Sequence, residues 1–168
     1  MSLANRWSGV ARVSMLLGFV AAGCGDGANE GPKGTPIAEL IAAGKAPVEV
    51  AGIARSIGPV PSFRCRLRNL SDRAIDAVGW TAVFRDRDGK VVGSPTDGGY
   101  ADGLSPIAPG SEIQGMFGAP DDAATSAVLV LKQVIYRMPN PLGEKFGTLA
   151  AKWTNPKHAA DVAAASKP

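Results

Sequence analysis

Ser62-Phe63-Arg64-Cys65-Arg66-Leu67-Arg68-Asn69 decides the fold class of this chain. Phe63, Cys65 and Leu67 alternate with Arg64, Arg66 and Arg68. Successive side chains of an extended backbone point to opposite faces, so the stretch reads as a β-strand with one dry face and one wet face. The same period of two recurs at Val78, Trp80, Ala82 and Phe84, with Thr81 and Arg85 on the other side. Asp86-Arg87-Asp88-Gly89 then turns the chain into Lys90-Val91-Val92, with a glycine that can take the positive φ such a hairpin turn needs.

Working outward, Val48, Val50 and Ile53 suggest an earlier strand, and Ser111 to Phe117 a later one. Ser94 to Gly110 reads as a loop rich in Gly, Pro and Asp, whose only large apolar groups are Tyr100, Leu104 and Ile107. Ala127 to Tyr136 is apolar on both alternating faces: Val128, Val130 and Val134 on one, Leu129, Leu131 and Ile135 on the other. That predicts a central strand covered on both sides. Pro139 and Pro141 end it, and Phe146, Leu149 and Trp153 follow before an Ala-rich tail from Ala159 to Pro168 that reads as a frayed helix. On the N-terminal side Thr35 can cap, Pro36 suits the first helical position, Ile37, Leu40 and Ile41 keep helical spacing, and Gly44 stops the turn. A short helix from about Pro36 to Ala43 follows, one so short that it either packs on the domain or frays. Short strands separated by turn residues, with little helix, predict an all-β fold: one antiparallel β-sandwich with short helical pieces at its N- and C-terminal edges.

The start of the chain has a different character. Arg6 and Arg12 precede an apolar run from Val13 to Ala22, which closes on Ala21-Ala22-Gly23-Cys24. A positive start, a short apolar run and small residues before a cut make a secretory signal peptide, and the run is too short to cross a bilayer of about 30 Å as a helix. Ala21-Ala22-Gly23-Cys24 resembles the lipobox of bacterial lipoproteins, usually Leu-Ala-Gly-Cys, with Ala21 in place of the leucine. The resemblance implies an acylated Cys24, a membrane partner through that lipid, and residence in the cell envelope. Gly25 rather than Asp after the cysteine favours the outer membrane, facing the periplasm. An ordinary signal peptide cut at Ala22 or Gly23 would leave Cys24 as a free thiol instead. The organisation is therefore a signal peptide over 1–23, a Gly-rich tether with its short helix over 24–47, a sandwich over 48–155, and an Ala-rich tail over 156–168.

A second resemblance covers about residues 48 to 135. Leu67-Arg68-Asn69-Leu70-Ser71, the stretch from Trp80 to Val92, and Ile107-Ala108-Pro109-Gly110-Ser111 are similar in order to small bacterial envelope lipoproteins with an immunoglobulin-like or fibronectin-like sandwich. In those families an Asn-x-Ser turn leaves one strand, an aromatic strand ends in Asp-x-x-Gly, and a Pro-Gly turn opens a later strand. Gly118-Ala119-Pro120 and Val128 to Leu131 echo the family's closing strand, whereas Arg137 to Pro168 has no counterpart in it. The resemblance implies a non-enzymatic envelope module and leaves its partner and process open.

Composition narrows the function classes. Of 18 basic side chains, two lie in the signal peptide, which leaves 16 against 15 acidic ones in the mature chain. A nucleic-acid footprint needs a strong basic excess on one face, so nucleic acid is not an expected partner. An acylated Cys24 leaves Cys65 without an intramolecular partner, and Cys65 then reads as a small buried hydrophobe; a Cys24 to Cys65 bridge requires the lipobox reading to fail.

Candidate sites are few. Asp86, Asp88 and Gly89 look superficially like a calcium loop but lack the downstream bidentate Glu, and Asp97 and Asp102 could add oxygens only if the fold brought them near. The only histidine, His158, lies in the tail outside any predicted packed element, and one His with one Cys falls short of a zinc site. No metal or cofactor is expected. Arg64, Arg66 and Arg68, extended by Arg55 or Arg73, form either an electrostatic patch for an anionic partner or a solvated face paired with cross-strand acids. Trp153 and Tyr100 lie in segments read as irregular, where an aromatic anchors a partner, stacks on a sugar ring, or pins its loop. The expected function is a tethered, protein-binding accessory or scaffold. A carbohydrate- or peptidoglycan-binding module is the alternative, and a carboxylate-dependent hydrolase a third reading.

Overall fold

A computed structural model describes residues 34–101 and 105–167 of the chain. The expected signal peptide, Cys24, the expected tether as far as residue 33, and Asp102 and Leu104 lie outside the described residues. Seven strands make two antiparallel sheets, with a helix at each end of the described chain. The elements are α1 (Ile37–Ala42), β1 (Val48–Arg55), β2 (Ser62–Asn69), β3 (Ile75–Arg85), β4 (Val91–Ala101), β5 (Glu112–Gly118), β6 (Ser126–Pro139), β7 (Thr148–Thr154) and α2 (His158–Ala165). The smaller sheet has the order β1-β2-β5 and the larger β4-β3-β6-β7.

β2 is built as its alternation demands: Phe63, Cys65 and Leu67 are buried and the three arginines exposed. Opposite it, Val78, Trp80, Ala82 and Phe84 of β3 face the same core. The two sheets meet through aromatic rings. Phe63 and Phe117 of the smaller sheet stack with centroids 5.7 Å apart, and Phe84 and Trp80 of the larger one lie 6.0 and 6.1 Å from Phe117. Such contacts contribute about 1 kcal/mol per pair beyond the apolar area they bury.

Two bulges rescue side chains from the wrong face. In β1 the register shifts between Ala51 and Ala54, around Gly52 at φ 60°. Val48, Val50 and Ile53 therefore all reach the core although their spacing changes from two to three. In β6, Gly79 pairs with Gln133 and Trp80 with Leu131, so Lys132 is the extra residue. This corrects the predicted faces: Val134 and Tyr136 share the core side with Leu129 and Leu131, while Val128 and Val130 lie on the other side. Coverage of both faces holds nonetheless, because α2 packs over the outer face of β3 and β6, where Val83 is 0% and Val130 8% exposed.

Three further expectations change. Ser94 to Ala101 is not loop but the second part of β4, an edge strand held by backbone pairing to β3, with no alternation because only one edge and little of either face is covered. The segment after Pro141 supplies β7, which pairs with Gln133 to Pro139 of β6, so Tyr100 and Trp153 both belong to strands rather than irregular segments. The start of α1 is capped not by Thr35 but by Asp72, whose Oδ1 accepts the Ile37 amide hydrogen at 3.0 Å, while Thr35 forms a β-bridge with Ser71.

Where the chain leaves the smaller sheet for the larger, a wholly buried Asn69 organises the crossing. Its amide nitrogen donates to the carbonyls of Arg73 (2.6 Å) and Ile107 (2.9 Å), and its Oδ1 accepts from the Ser71 amide (2.9 Å) and hydroxyl (2.8 Å). Truncating Asn69 leaves several of these buried groups unsatisfied, at about 1–3 kcal/mol each. Asn69→Ala is therefore expected to lower the stability by about 3 kcal/mol, read as a lower denaturant midpoint at unchanged slope.

Candidate functional site

β7 pairs only with the second half of β6 and ends at Thr154. Among the described residues no strand is hydrogen-bonded to the first half of β6 on that side, and β1, the edge of the other sheet, approaches it across the gap. The result is an open groove of about 700 Å³, floored by Val50, Leu129, Leu131 and Trp153 and bordered by Ile41. Its polar rim comes from the turn into α2, through Asn155, Lys157 and Asp161. Asn155 closes the ladder. Its backbone N–H donates to the Lys132 carbonyl at 3.0 Å, and its side-chain amide donates to the Leu131 carbonyl (3.0 Å) and Asp161 Oδ2 (3.1 Å). A concave, largely apolar cleft of this size with a few polar groups at its mouth is the usual form of a binding site.

The structure separates the residues predicted to form sites. Trp153 lines the groove, half-buried, with one side against the core. Tyr100 packs on the core from the far edge of the same sheet, and its hydroxyl donates to the Ser105 carbonyl at 2.8 Å. The row Tyr100, Val78, Val134, Trp153 runs straight across the four strands, so three strand spacings, about 14 Å, lie between the two aromatics. They do not stand side by side.

Arg64, Arg66 and Arg68 lie exposed on the outer face of the smaller sheet. Arg68 lies opposite Glu49 and Glu112 in the strand register, Arg66 Nη1 is 3.7 Å from Glu112, and Arg64 donates to the Ser56 hydroxyl at 3.1 Å. Neither expected extension joins the row: Arg55 turns to Asp122, donating to its carbonyl at 3.2 Å, and Arg73 sits in the crossing loop 3.5 Å from Asp72. In the β3–β4 hairpin, Asp86 Oδ1 accepts the Asp88 and Lys90 amide hydrogens at 2.9 Å each, so that carboxylate closes its own turn. Cys65 is 1% exposed, and burial pushes its thiol pKa up against the opposing effect of a hydrogen bond with the Gly115 backbone.

His158 is the largest departure from expectation. Rather than lying on an unplaced tail, it opens α2 and docks on the outer face of the larger sheet, its Nε2 3.0 Å from Thr81 Oγ1. Thr81 is 5% exposed and donates to Asp97 Oδ1 at 2.6 Å, and Lys132 donates to Asp97 Oδ2. With Asp97 ionised the threonine proton goes to the carboxylate, so Nε2 of His158 is the donor to Thr81. A hydroxyl committed to a carboxylate is not poised as a nucleophile, and the chemistry of this cluster is that of a latch holding α2 down. Four residues from β3, β4, β6 and α2 meet here, and no spacing in the sequence announces them.

The chain matches no protein-family profile, no curated protein and no solved structure.

The latch has a pH signature. Hydrogen bonds from Lys132 and then Thr81 hold the Asp97 carboxyl below its ordinary pKa, with the Lys132 and His158 charges adding to the effect. A depressed folded-state pKa contributes stability above the ordinary value of about 3.9, and that contribution is lost as pH falls through the folded-state value. The α2 amides are expected to stay protected from hydrogen exchange near pH 6 and to lose protection below about pH 4. Asp97→Asn removes that dependence, and His158→Ala speeds α2 exchange about fivefold, equivalent to one net hydrogen bond.

Proposed function

We propose that the protein is a lipid-anchored, non-enzymatic envelope module that binds another envelope protein through the groove between β1 and β7. The signal-like start ending at Cys24 supports the anchor, and the absence of an Asp after Cys24 supports an outer-membrane location facing the periplasm. The strand order β1-β2-β5 against β4-β3-β6-β7 supports the immunoglobulin-like reading, since seven antiparallel strands in two sheets with chain crossings between them are its hallmark. That fold hosts many functions, so the site carries the reading. The single observation that carries it is the apolar groove with Trp153 in its floor.

Two other readings fare less well on the geometry. A sugar-binding platform built from Tyr100 and Trp153 needs the rings together, and two strands separate them. A carboxylate hydrolase needs two acids converging in a cleft, and among the described residues Asp161 is the only one lining the groove, already bonded by Asn155.

Intact mass and labelled palmitate, taken for the wild type and Cys24→Ala in a bacterial host, test the anchor. The wild type is expected to carry acyl chains and the variant none. A photo-crosslinker at Ile41, on the groove rim, is expected to capture an envelope protein that the same group at Met116, exposed on the outer face of the smaller sheet, does not. Capture from Met116 alone would move the binding surface away from the groove.

A further inference from the structure

We infer that the groove receives an extended peptide segment, which adds as a strand to the first half of β6 and so continues the line of β7. The inference rests on the protein-binding reading of the groove and names the kind of partner it takes. Ser126-Ala127-Val128-Leu129-Val130-Leu131 pairs with β3 on one side, and on the other no strand is hydrogen-bonded to it among the described residues, β1 of the other sheet standing across the groove. Beyond the Leu131 carbonyl, taken by Asn155, alternate backbone N–H and C=O groups face the gap.

This edge lacks the devices that protect the others. β4 carries Pro95 and Asp97, β1 carries Glu49 and the Gly52 bulge, β5 carries Glu112 and β7 carries Lys152. Charges, prolines and bulges are the usual means of keeping a strand edge from pairing with another chain. Ser126 to Leu131 has no charge, no Pro and no Gly, and is rich in β-branched and other apolar side chains. It is a template for pairing, lying within a central strand whose neighbour stops half-way.

The floor of the groove adds selectivity. In an incoming strand every second side chain would face Val50, Leu129, Leu131 and Trp153, and the others would face solvent near Lys157 and Asp161. Main-chain bonds would supply affinity and alternate apolar side chains specificity, which is the logic of strand addition. The partner is therefore a protein with an extended, alternating segment.

The test uses the full chain in detergent micelles and an acetylated, amidated hexapeptide that alternates valine with threonine, followed by hydrogen exchange and mass spectrometry. With millimolar peptide, the amides of Ser126 to Leu131 are expected to exchange at least about tenfold more slowly. The same peptide N-methylated at alternate positions, which removes its edge donors, is expected to give no protection. Ile41→Lys, a change at a 42% exposed position on the rim that the core does not depend on, is expected to weaken the protection about fivefold. Absence of protection at millimolar peptide, equal protection by the N-methylated peptide, or protection at β4 or β5 instead overturns the inference. So does a dimer formed through this edge in the peptide-free protein, because the occupant is then a second copy. Should Ile41 still crosslink an envelope protein while the peptide fails, the binding reading stands and strand addition alone falls.

Discussion

Asn69 is the constraint on which the arrangement of the sheets depends. A sandwich must carry its chain from one sheet to the other, and at that point the ladder stops satisfying the backbone. The Asn69 side chain takes over: it binds the crossing loop through Arg73 and Ser71 and the distant Ile107 carbonyl, while its backbone carbonyl accepts the Gly110 amide hydrogen at 3.0 Å and its amide donates to Ser111 at 2.9 Å. One fully buried amide thus holds the end of β2, the start of β3 and the turn before β5. An unsatisfied polar group here would cost as much as several methylenes of core burial return.

With the crossing set, the core follows from the strands that meet. Phe63 and Phe117 on one sheet face Trp80 and Phe84 on the other, and the bulges in β1 and β6 bring Ile53, Val134 and Tyr136 onto the same side. The β6 bulge has a further consequence for the outer face. By making Lys132 the extra residue, it lets that side chain reach Asp97, which in turn holds Thr81 and the start of α2. Arg85 reinforces the far end of the helix, donating to the Ala165 carbonyl at 2.8 Å and the Lys167 carbonyl at 2.6 Å. A sheet face that would otherwise expose Val83 and Val130 is thereby closed by a helix too short to persist by itself.

The groove is what remains when β7 is shorter than β6. The chain turns at Asn155 and Pro156 to lay α2 on the outer face, and in doing so withdraws cover from Leu129 and Leu131. The latch and the groove are two results of the same turn.

Taken by itself, the sequence determined the elements whose pattern is local. The alternations of β2 and β3, the Asp86 to Gly89 hairpin, the short helix after Pro36 and the outward row of Arg64, Arg66 and Arg68 are all present in the fold, because side-chain period and turn chemistry depend on neighbours a few residues away. The second part of β4 and all of β7 escaped it, since an edge strand is held by backbone pairing and needs no apolar alternation of its own. The faces of β6 escaped it too, because a bulge inverts the period without marking the composition. Trp153 reads from the sequence as part of an irregular segment; its place in β7 and in the groove with Val50 and Leu129, and the meeting of His158 with Thr81 and Asp97, were decided only by tertiary structure. His158 and the Thr81 it meets are 77 positions apart, and Trp153 and Val50, which line the same groove, are 103 apart; no local rule spans such distances.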